Sequence, residues 1–440
     1  MTAEKAEKKS VYKPHAISGF PEWLPEFRVV EQRWMDHLRK VFESYGYCSI
    51  ETPAVEELEV LQAKGEVDKE IYVLQRVHAD PNEKNEARLA LHFDQTVPMA
   101  RYVAQHFSDL TFPFKRYQMQ KVWRGERPQL GRLREFYQCD IDVIHVDSLP
   151  LAFDAEMPAV MYEALAGLDI GRVQVRISNR KILLGLVDAL GIKDSVAVTR
   201  TVDKLEKIGA PAVAEILARE LGIGEGAINA ILQLASIKGD AGALTAIIPR
   251  NDQMEEGLKE LTFVMKALGH LPASAAIADL SIVRGLDYYT GTVYETALLD
   301  IPQFTGSVCS GGRYDDLAGS YINRHLPGVG ISIGFTRLFD VLAHYGHIKP
   351  GPKTPTQVLV VLPSEERREA ASAVASTLRS RGLNVELYHA PQNVKKQMEY
   401  ANKKGIPFVW FPPFEAGQGH EIKNMVTGAQ DQVDPALWNI

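Results

Sequence analysis

Two short stretches hold the parts needed to seat a small zwitterion beside a phosphate: Arg284-Gly-Leu-Asp-Tyr-Tyr-Thr-Gly and, shortly after it, Ser310-Gly-Gly-Arg-Tyr-Asp-Asp-Leu317. Arginine supplies a fixed cation, the tyrosines supply hydroxyls, and adjacent glycines leave the backbone open to close approach. Far upstream lies an arginine-dense run, Lys121-Val-Trp-Arg-Gly-Glu-Arg-Pro-Gln-Leu-Gly-Arg-Leu-Arg-Glu-Phe-Tyr-Gln138. Overlapping it, Lys115, Arg116, Lys121, Arg124, Arg127, Arg132 and Arg134 fall within one 20-residue window with Glu126 as the only acid. A surface helix ordinarily mixes its signs, so the clustering points to an anionic ligand.

Arg124, Arg132, Arg284 and Arg337 suit one reaction in particular. Joining a carboxylate to the α-phosphate of ATP brings two anions together while pyrophosphate departs, so fixed guanidinium charge is required at both ends. The usual phosphate loop GxxxxGK[ST], the dinucleotide fingerprint GxGxxG and the HExxH metal motif are all absent from the sequence.

These residues need a frame. The apolar spacing of Phe27, Val30, Trp34, Leu38, Val41 and Tyr45 predicts a helix over 26–45, with Gly46 as its left-handed cap and a short strand from Tyr47 to Pro53. Strands are expected at 90–93, 114–123, 137–145, 173–178, 281–286, 292–298 and 328–333. Short turns between several of them favour a largely antiparallel sheet with helices against one face. Residues 183–250 read as a helical insertion broken at Gly209-Ala-Pro211 and Gly222-Ile-Gly224, and a helix over 254–268 returns to the sheet. A proline-rich linker over 346–356 precedes an alternation of strands (357–362, 384–388, 407–411) and helices (365–381, 394–404), which describes a separate α/β domain with parallel strands.

The bulk properties narrow the class. A chain of 440 residues needs two or three domains and no covalent staples. The cysteines Cys48, Cys139 and Cys309 are far apart, which argues against a disulfide framework or a zinc site. The charged start lacks the apolar core of a signal peptide, and no run reaches the length of a membrane span; a cytoplasmic protein is expected. The net charge of −7 excludes a coat of nucleic acid but not a local grip on one.

Over almost its whole length the chain resembles class II aminoacyl-tRNA synthetases, and within them the histidyl-tRNA synthetases. The 26–45 helix and its strand resemble the first class motif, the dimer interface of that family. Trp123–Phe136 resembles the second motif and Gly328-Val-Gly-Ile-Ser-Ile-Gly-Phe-Thr-Arg337 the third. Arg284-Gly-Leu-Asp-Tyr-Tyr and Gly311-Gly-Arg-Tyr-Asp resemble the pair peculiar to the histidine enzymes. The implied fold is α+β: a class II antiparallel sheet flanked by helices (catalytic domain 1–345, insertion about 183–250) and a C-terminal α/β anticodon-binding domain (357–440).

The implied activity is ATP-dependent formation of histidyl-adenylate from L-histidine and transfer to the 3′ end of tRNA(His), by a cytoplasmic homodimer. By the same resemblance Arg124 contacts the α-phosphate with Glu126 at the nucleotide, and Arg132 and Arg337 take the terminal phosphates. Adenine stacks between Phe136 and Arg337, and Arg284 serves the α-phosphate and substrate carboxylate. Mg2+ is expected on the outgoing phosphates, with no protein metal site. Asp142 and Tyr289 are the imagined partners of the imidazole, with Tyr314 and Gly311 close by. Asp94, Thr96 and Gln138 serve the ammonium and carboxylate. Arg127 and Gln129 lie toward the tRNA acceptor end, and Lys395, Lys396, Lys403, Lys404 and Lys423 are the phosphate contacts of the last domain.

The chain departs from the family pattern at His92 (usually Arg), at Thr336 (usually Glu), at the short acids Asp94 and Asp142 (Glu in many bacterial members), and in the tail from Trp410 to Glu415. Two other classes compete: a histidine-binding regulatory subunit without catalysis, disfavoured because Arg124, Arg284, Arg337 and the last domain are all present, and an adenylating ligase with another acceptor, disfavoured by that domain.

Overall fold

The computed structural model describes residues 12–62, 70–77, 88–283, 289–304, 306–315, 319, 321–415 and 417–440. In chain order these form α1 (Pro25–Ser44), β1 (Cys48–Ser49), β2 (Val55–Glu57), α2 (Leu58–Gln62), β3 (Leu89–Leu91), α3 (Thr96–Gln105), β4 (Phe114–Trp123), β5 (Glu135–Ile144), α4 (Ala152–Ala166), β6 (Val173–Asn179) and α5 (Arg180–Ala189). There follow α6 (Ser195–Val202), α7 (Leu205–Arg219), α8 (Glu225–Ala235), β7 (Lys238–Gly239), α9 (Asp252–Ala267), β8 (Ala276–Asp279), β9 (Tyr289–Leu298), β10 (Cys309–Tyr314), β11 (Gly328–Ile333) and α10 (Phe335–His344). The last part holds β12 (Val358–Val360), α11 (Arg368–Ser380), β13 (Val385–Leu387), α12 (Val394–Lys404), β14 (Phe408–Phe411), β15 (His420–Asn424) and β16 (Gln430–Val433).

The chain divides into two compact units. One comprises the residues up to Glu22 with Trp34–Ile348, the other Trp23–Arg33 with Lys349–Ile440. The boundary therefore cuts through α1, whose first turns belong with the C-terminal unit. There Gly351 N–H donates to the Glu26 carbonyl at 2.8 Å.

The first unit is built on a nine-stranded sheet in the order β1-β4-β5-β11-β10-β9-β6-β8-β7. Every neighbouring pair is antiparallel except β1 with β4 and β6 with β8. This is the α+β antiparallel sheet anticipated above. Alternate residues point to opposite faces of a strand. On one face Tyr117, Cys139, Ile141, Val143, Val329, Ile331, Ile333 and Tyr294 are buried, and α4 packs on β6, β10 and β11. The other face carries Arg116, Gln118, Gln120, Gln138, Asp140, Asp142, Ser332 and Ser310.

Between β6 and α9, helices α6, α7 and α8 span most of the expected insertion. Gly209 (φ +81°) breaks α7 at the expected place, and Gly222 (φ +66°) separates α7 from α8. The segment is not detached: its strand β7 pairs with β8 at the edge of the main sheet.

Two expectations need correction. The strand expected over 281–286 does not form at its described residues 281–283; β8 ends at Asp279 because that carboxylate turns the chain. Ser281 donates to Asp279 Oδ1 from both its N–H (3.1 Å) and its hydroxyl (2.5 Å), an Asx turn that competes with strand pairing. The expected strand 47–53 shrinks to Cys48–Ser49.

In the second unit the five-stranded order is β13-β12-β14-β15-β16. The first three strands are parallel as expected, around a core of Val358–Leu362, Leu378, Val409 and the wholly buried Trp410. Strands β15 and β16 add antiparallel and were not expected. His420-Glu-Ile-Lys-Asn424 and Gln430-Asp-Gln-Val433 are too polar to show a buried stripe, as befits the edge of a sheet.

Candidate active site on the polar face of the sheet

Register brings the polar residues together. Arg116, Gln118 and Gln120 on β4 stand opposite Asp142, Asp140 and Gln138 on β5. Across the other edge of β5, Gly330 faces Asp142 and Ser332 faces Asp140. Gly312 faces Gly330, and Ser310 faces Ser332. Four strands thus converge on one patch, and nothing in the local sequence of any one strand shows it.

At its centre Asp142 is held from two sides. Arg116 on β4 pairs with Oδ2 at 2.5 Å, and the Tyr314 hydroxyl on β10 donates to Oδ1 at 2.9 Å. Glycine at 330 is required: a Cβ there would stand 2.0 Å from Asp142 Oδ1. Glycine at 328 makes room for the Tyr314 ring in the same way, with 2.3 Å to its nearest carbon. Burial pushes the Asp142 carboxyl above its ordinary value, although the Arg116 guanidinium and the Tyr314 hydroxyl pull it down; Asp94 adds to the rise. Asp140, also fully buried, is pushed up to about 7 by burial despite Arg116 and Ser332. Its Oδ1 has no hydrogen-bond partner among the described residues.

Around this pair lies an amide network. Gln138 Nε2 donates to Ser332 Oγ at 2.6 Å while its Oε1 is buried without a partner among the described residues. Gln95 Nε2 donates to the carbonyls of Gln120 and Gln138, both at 3.0 Å, pinning the start of α3 to β4 and β5. Beside it Asp94 Oδ1 accepts from Val97 N–H at 3.2 Å, and Thr96 is half-buried at the first position of α3.

The cationic end follows β4. Arg124 Nε donates to the Phe93 carbonyl at 3.0 Å, next to Asp94, and its guanidinium lies 5.2 Å above the Phe136 ring. Arg132 is ion-paired to Glu126, and Arg134 Nε donates to the Glu126 carbonyl at 3.0 Å. The loop between β4 and β5 doubles back at Gln129 and Arg132, which exchange backbone hydrogen bonds of 3.0 and 2.8 Å. Gly131 (φ +67°) donates to Asp340 Oδ2 at 2.9 Å and so anchors the loop to α10, where Arg337 sits. Burial depresses the Arg337 pKa and the charges of Arg132 and Arg124 depress it further, against a partial offset from Glu126 and Glu295, while its Nε is buried with no partner among the described residues. Mutually repelling guanidinium groups with an unspent buried donor fit a polyphosphate such as that of ATP. Among the described residues no three His, Cys, Asp or Glu side chains converge to hold a metal ion.

Several expected residues stand elsewhere than anticipated. Arg284 lies outside the described residues. Tyr289 opens β9 opposite Tyr314, and its ring fills the space a Cβ on Gly312 would take, 2.7 Å away. Gly312 is therefore the glycine on the polar face. Gly311 pairs with Tyr294 and Ile331 on the helix-covered face, where a Cβ would meet the Gly330 carbonyl at 2.0 Å. Arg313, between Gly312 and Tyr314, points the same way and pairs with Asp154 of α4 at 2.7 Å.

Of the expected sandwich around adenine, Arg337 lies over Phe304 at 5.4 Å, and the cation over Phe136 is Arg124. Arg127 and Gln129 are exposed on the loop. Within the basic window Arg116 is wholly buried, Lys115 pairs with Glu156 at 2.7 Å and Lys121 with Glu135 at 2.6 Å, leaving fewer cations for a ligand than the sequence suggests. In the C-terminal unit Lys395, Lys396 and Lys403 are exposed, but Lys404 is engaged by Glu386 at 2.8 Å.

The two departures at His92 and Thr336 have local explanations. His92 is buried, stacks on Trp123 at 5.6 Å, and is kept neutral by burial. Its Nε2 lies 2.7 Å from the Lys121 carbonyl, which can only accept, so Nε2 carries the proton. Thr336 accepts from Tyr137 N–H at 2.8 Å and ties α10 to β5. Arg116, expected among the cations for an anionic ligand, is instead buried against Asp142, and Phe304 is the residue that the sequence reading missed.

This sheet, its polar patch and the separate α/β unit are the architecture of a class II aminoacyl-tRNA synthetase. The family model described as histidyl-tRNA synthetase matches residues 19–338, and that of the anticodon binding domain matches 357–433. The histidine--tRNA ligase of Thermobifida fusca (strain YX) is 57% identical over 433 residues, covering 98% of this chain and 99% of that protein. The histidine--tRNA ligase of Cutibacterium acnes is 44% identical over 437 residues, 96% of each chain. The solved histidyl-tRNA synthetase of Nostoc sp. PCC 7120 superposes with a TM-score of 0.87 at 40% identity, covering 96% of this chain and 97% of that one. The chain belongs to the histidyl-tRNA synthetase family.

Proposed function

We propose that the protein is a histidine--tRNA ligase: it activates L-histidine with ATP to histidyl-adenylate and transfers the histidyl group to the 3′ end of tRNA(His). The observation that carries this reading is the adjacency, on one sheet face, of a clamped carboxylate and an under-neutralised arginine cluster. A carboxylate whose two oxygens are already oriented accepts an imidazole N–H, and a substrate lacking that donor leaves it unpaired.

In this reading Asp142 and Tyr289 take the imidazole, with Tyr314 orienting Asp142, and Asp94, Thr96 and Gln138 take the ammonium and carboxylate ends. Arg124 serves the α-phosphate, which leaves the Phe136 face to adenine; Glu126 borders the nucleotide, and Arg132 and Arg337 hold the outgoing phosphates. By likeness to the family, Arg284 adds the second positive charge at the α-phosphate. Mg2+ would be held by the phosphates of the nucleotide and would supply charge neutralisation there. Residues 1–345 form the catalytic domain, 346–356 the connection and 357–440 the anticodon-binding domain, with Arg127 and Gln129 toward the acceptor end. The protein works as a cytoplasmic homodimer; among the described residues no helix is long and apolar enough to cross a membrane.

Histidine-dependent ATP–pyrophosphate exchange tests this, with transfer of labelled histidine to tRNA(His) as the second step. Arg124→Ala should lower exchange by roughly 100- to 1,000-fold, the usual cost of a lost charge-stabilising donor. Wild-type protein that binds histidine without exchange would instead make it a regulatory subunit.

A further inference from the structure

We infer that Arg116 is a positioning residue for histidine selection: without touching the substrate, it fixes Asp142 as an oriented, charged acceptor. The inference rests on the histidine-site reading above. Arg116 has 0% of its surface exposed, a costly state for a guanidinium unless it is paired. Its charge is directed at the site: Nη2 lies 2.5 Å from Asp142 Oδ2 as an ion pair and Nη1 donates to Gln118 Oε1 at 3.4 Å, while neither Nε nor Nη2 has a hydrogen-bond acceptor in line among the described residues.

The geometry explains the division of labour. Asp142 on β5 lies between Arg116 on β4 and Tyr314 on β10, and the intervening strand β11 offers only Gly330 at that level. One oxygen is taken by the guanidinium and the other by the phenol, so the carboxylate has a single orientation. An ionised carboxylate has about four acceptor positions, so two contacts leave capacity for a substrate N–H. A short Asp can serve here because a cross-strand arginine reaches it; the side chain stays close to the sheet and the clamp does the aiming. Asp140 stands two residues away on the same face, and Asp94 is near enough to act on both. Two of these acids, Asp142 and Asp140, draw on the one guanidinium. Removing it would make Asp142 take up a proton or turn toward another donor, and the preference for an imidazole N–H would weaken.

The test compares Arg116→Met, Arg116→Lys and Asp142→Asn in histidine-dependent exchange. For Arg116→Met the KM for histidine should rise ~10- to 100-fold, the worth of a hydrogen bond to a charged group, while kcat and the KM for ATP stay near wild type. Arg116→Lys should recover most of the loss, because a charge remains beside Asp142. The inference is overturned if the KM for histidine in Arg116→Met stays at the wild-type value, if the KM for ATP rises with it, or if Lys is no better than Met. Should Arg116→Met fail to fold, Arg116→Met combined with Asp142→Asn removes both buried charges. A KM for histidine in that pair below the Asp142→Asn value overturns the inference, and one at or above it supports the clamp. Asp142→Asn separates the two readings: an unchanged KM for histidine there defeats the histidine site itself, whereas a raised one with Arg116→Met unaffected defeats only the role of Arg116.

Discussion

The same sheet buries two arginine–aspartate pairs on the same face, and they are built to opposite ends. At the β6–β8 end Arg176 meets Asp279 at 2.6 Å. Asp279 also accepts both Ser281 groups and pairs with Lys238 at 3.0 Å, while Arg176 reaches Glu206 of α7 at 2.8 Å. Burial would raise the Asp279 carboxyl, but the Ser281 bonds, Arg176 and Lys238 outweigh it and hold it below the ordinary value. At the β4–β5 end one guanidinium serves Asp142 with Asp140 beside it, and burial wins at both acids. The first pair closes its charges within the protein. The second leaves acceptors under-compensated, with Asp140 Oδ1 beside it unpaired among the described residues, which is what a polar ligand would complete. Surplus charge, rather than burial, separates site from scaffold here.

Breaking the scaffold pair should have the larger effect on stability. Asp279→Ala leaves the buried Arg176 with Glu206 alone and removes the nearer partner of Lys238, so unfolding in urea should lose ~3 kcal/mol, the low end for a broken buried pair. A loss below ~1 kcal/mol, the worth of an exposed pair, would show that the network is not closed as described. Next in size is Gly330→Ala, which presses a methyl group onto Asp142. Overpacking predicts a loss of ~1–3 kcal/mol together with a higher KM for histidine and an unchanged KM for ATP. If both KM values moved together, the glycine would be serving the sheet and not the carboxylate.

How much of this was legible in the sequence follows from what each feature depends on. The strand Gly328–Ile333 could be read because the alternation of Val329, Ile331 and Ile333 is local. Gly46 as a helix cap and the break at Gly209 were equally local, each needing only a positive φ. Arg116 was read only as one cation of a basic cluster, because its burial against Asp142 depends on β5 lying across the strand. Phe304 lies in a turn with no periodicity, so its place over Arg337 is purely tertiary. The strand expected beyond Asp279 does not form at its described residues 281–283 because a side-chain turn overrides a favourable apolar run. Arg313 sits inside a motif read as functional, yet alternation sends it to the helix side, where it holds Asp154. Spacing gives the period of a strand; only the neighbouring strands say which face matters.

The smallest expected effect concerns Asp140, and its sign is what distinguishes the two ends. Groups facing it are Arg116 and Asp142 on their strands, Ser332 on β11, and Asp94 before α3. With its carboxyl pushed up to about 7, the folded chain binds a proton that the unfolded chain, near ~3.9, has already released over the interval between. Stability must therefore fall as pH rises from about 4 to about 7, and the cost is complete above that. Asp279, depressed in the folded state, behaves oppositely: its contribution is present at neutral pH and is lost as the solution is acidified through its folded value. Asp140→Asn removes the first dependence and leaves the second. Urea unfolding of ligand-free protein should then show the variant gaining ~1–2 kcal/mol over wild type at pH 8, less than the full shift because the amide oxygen is still buried without a donor, and gaining little at pH 5. An equal difference at both pH values would mean that Asp140 is already compensated in the folded protein, and the contrast between a closed and an open pair would rest on Asp142 alone.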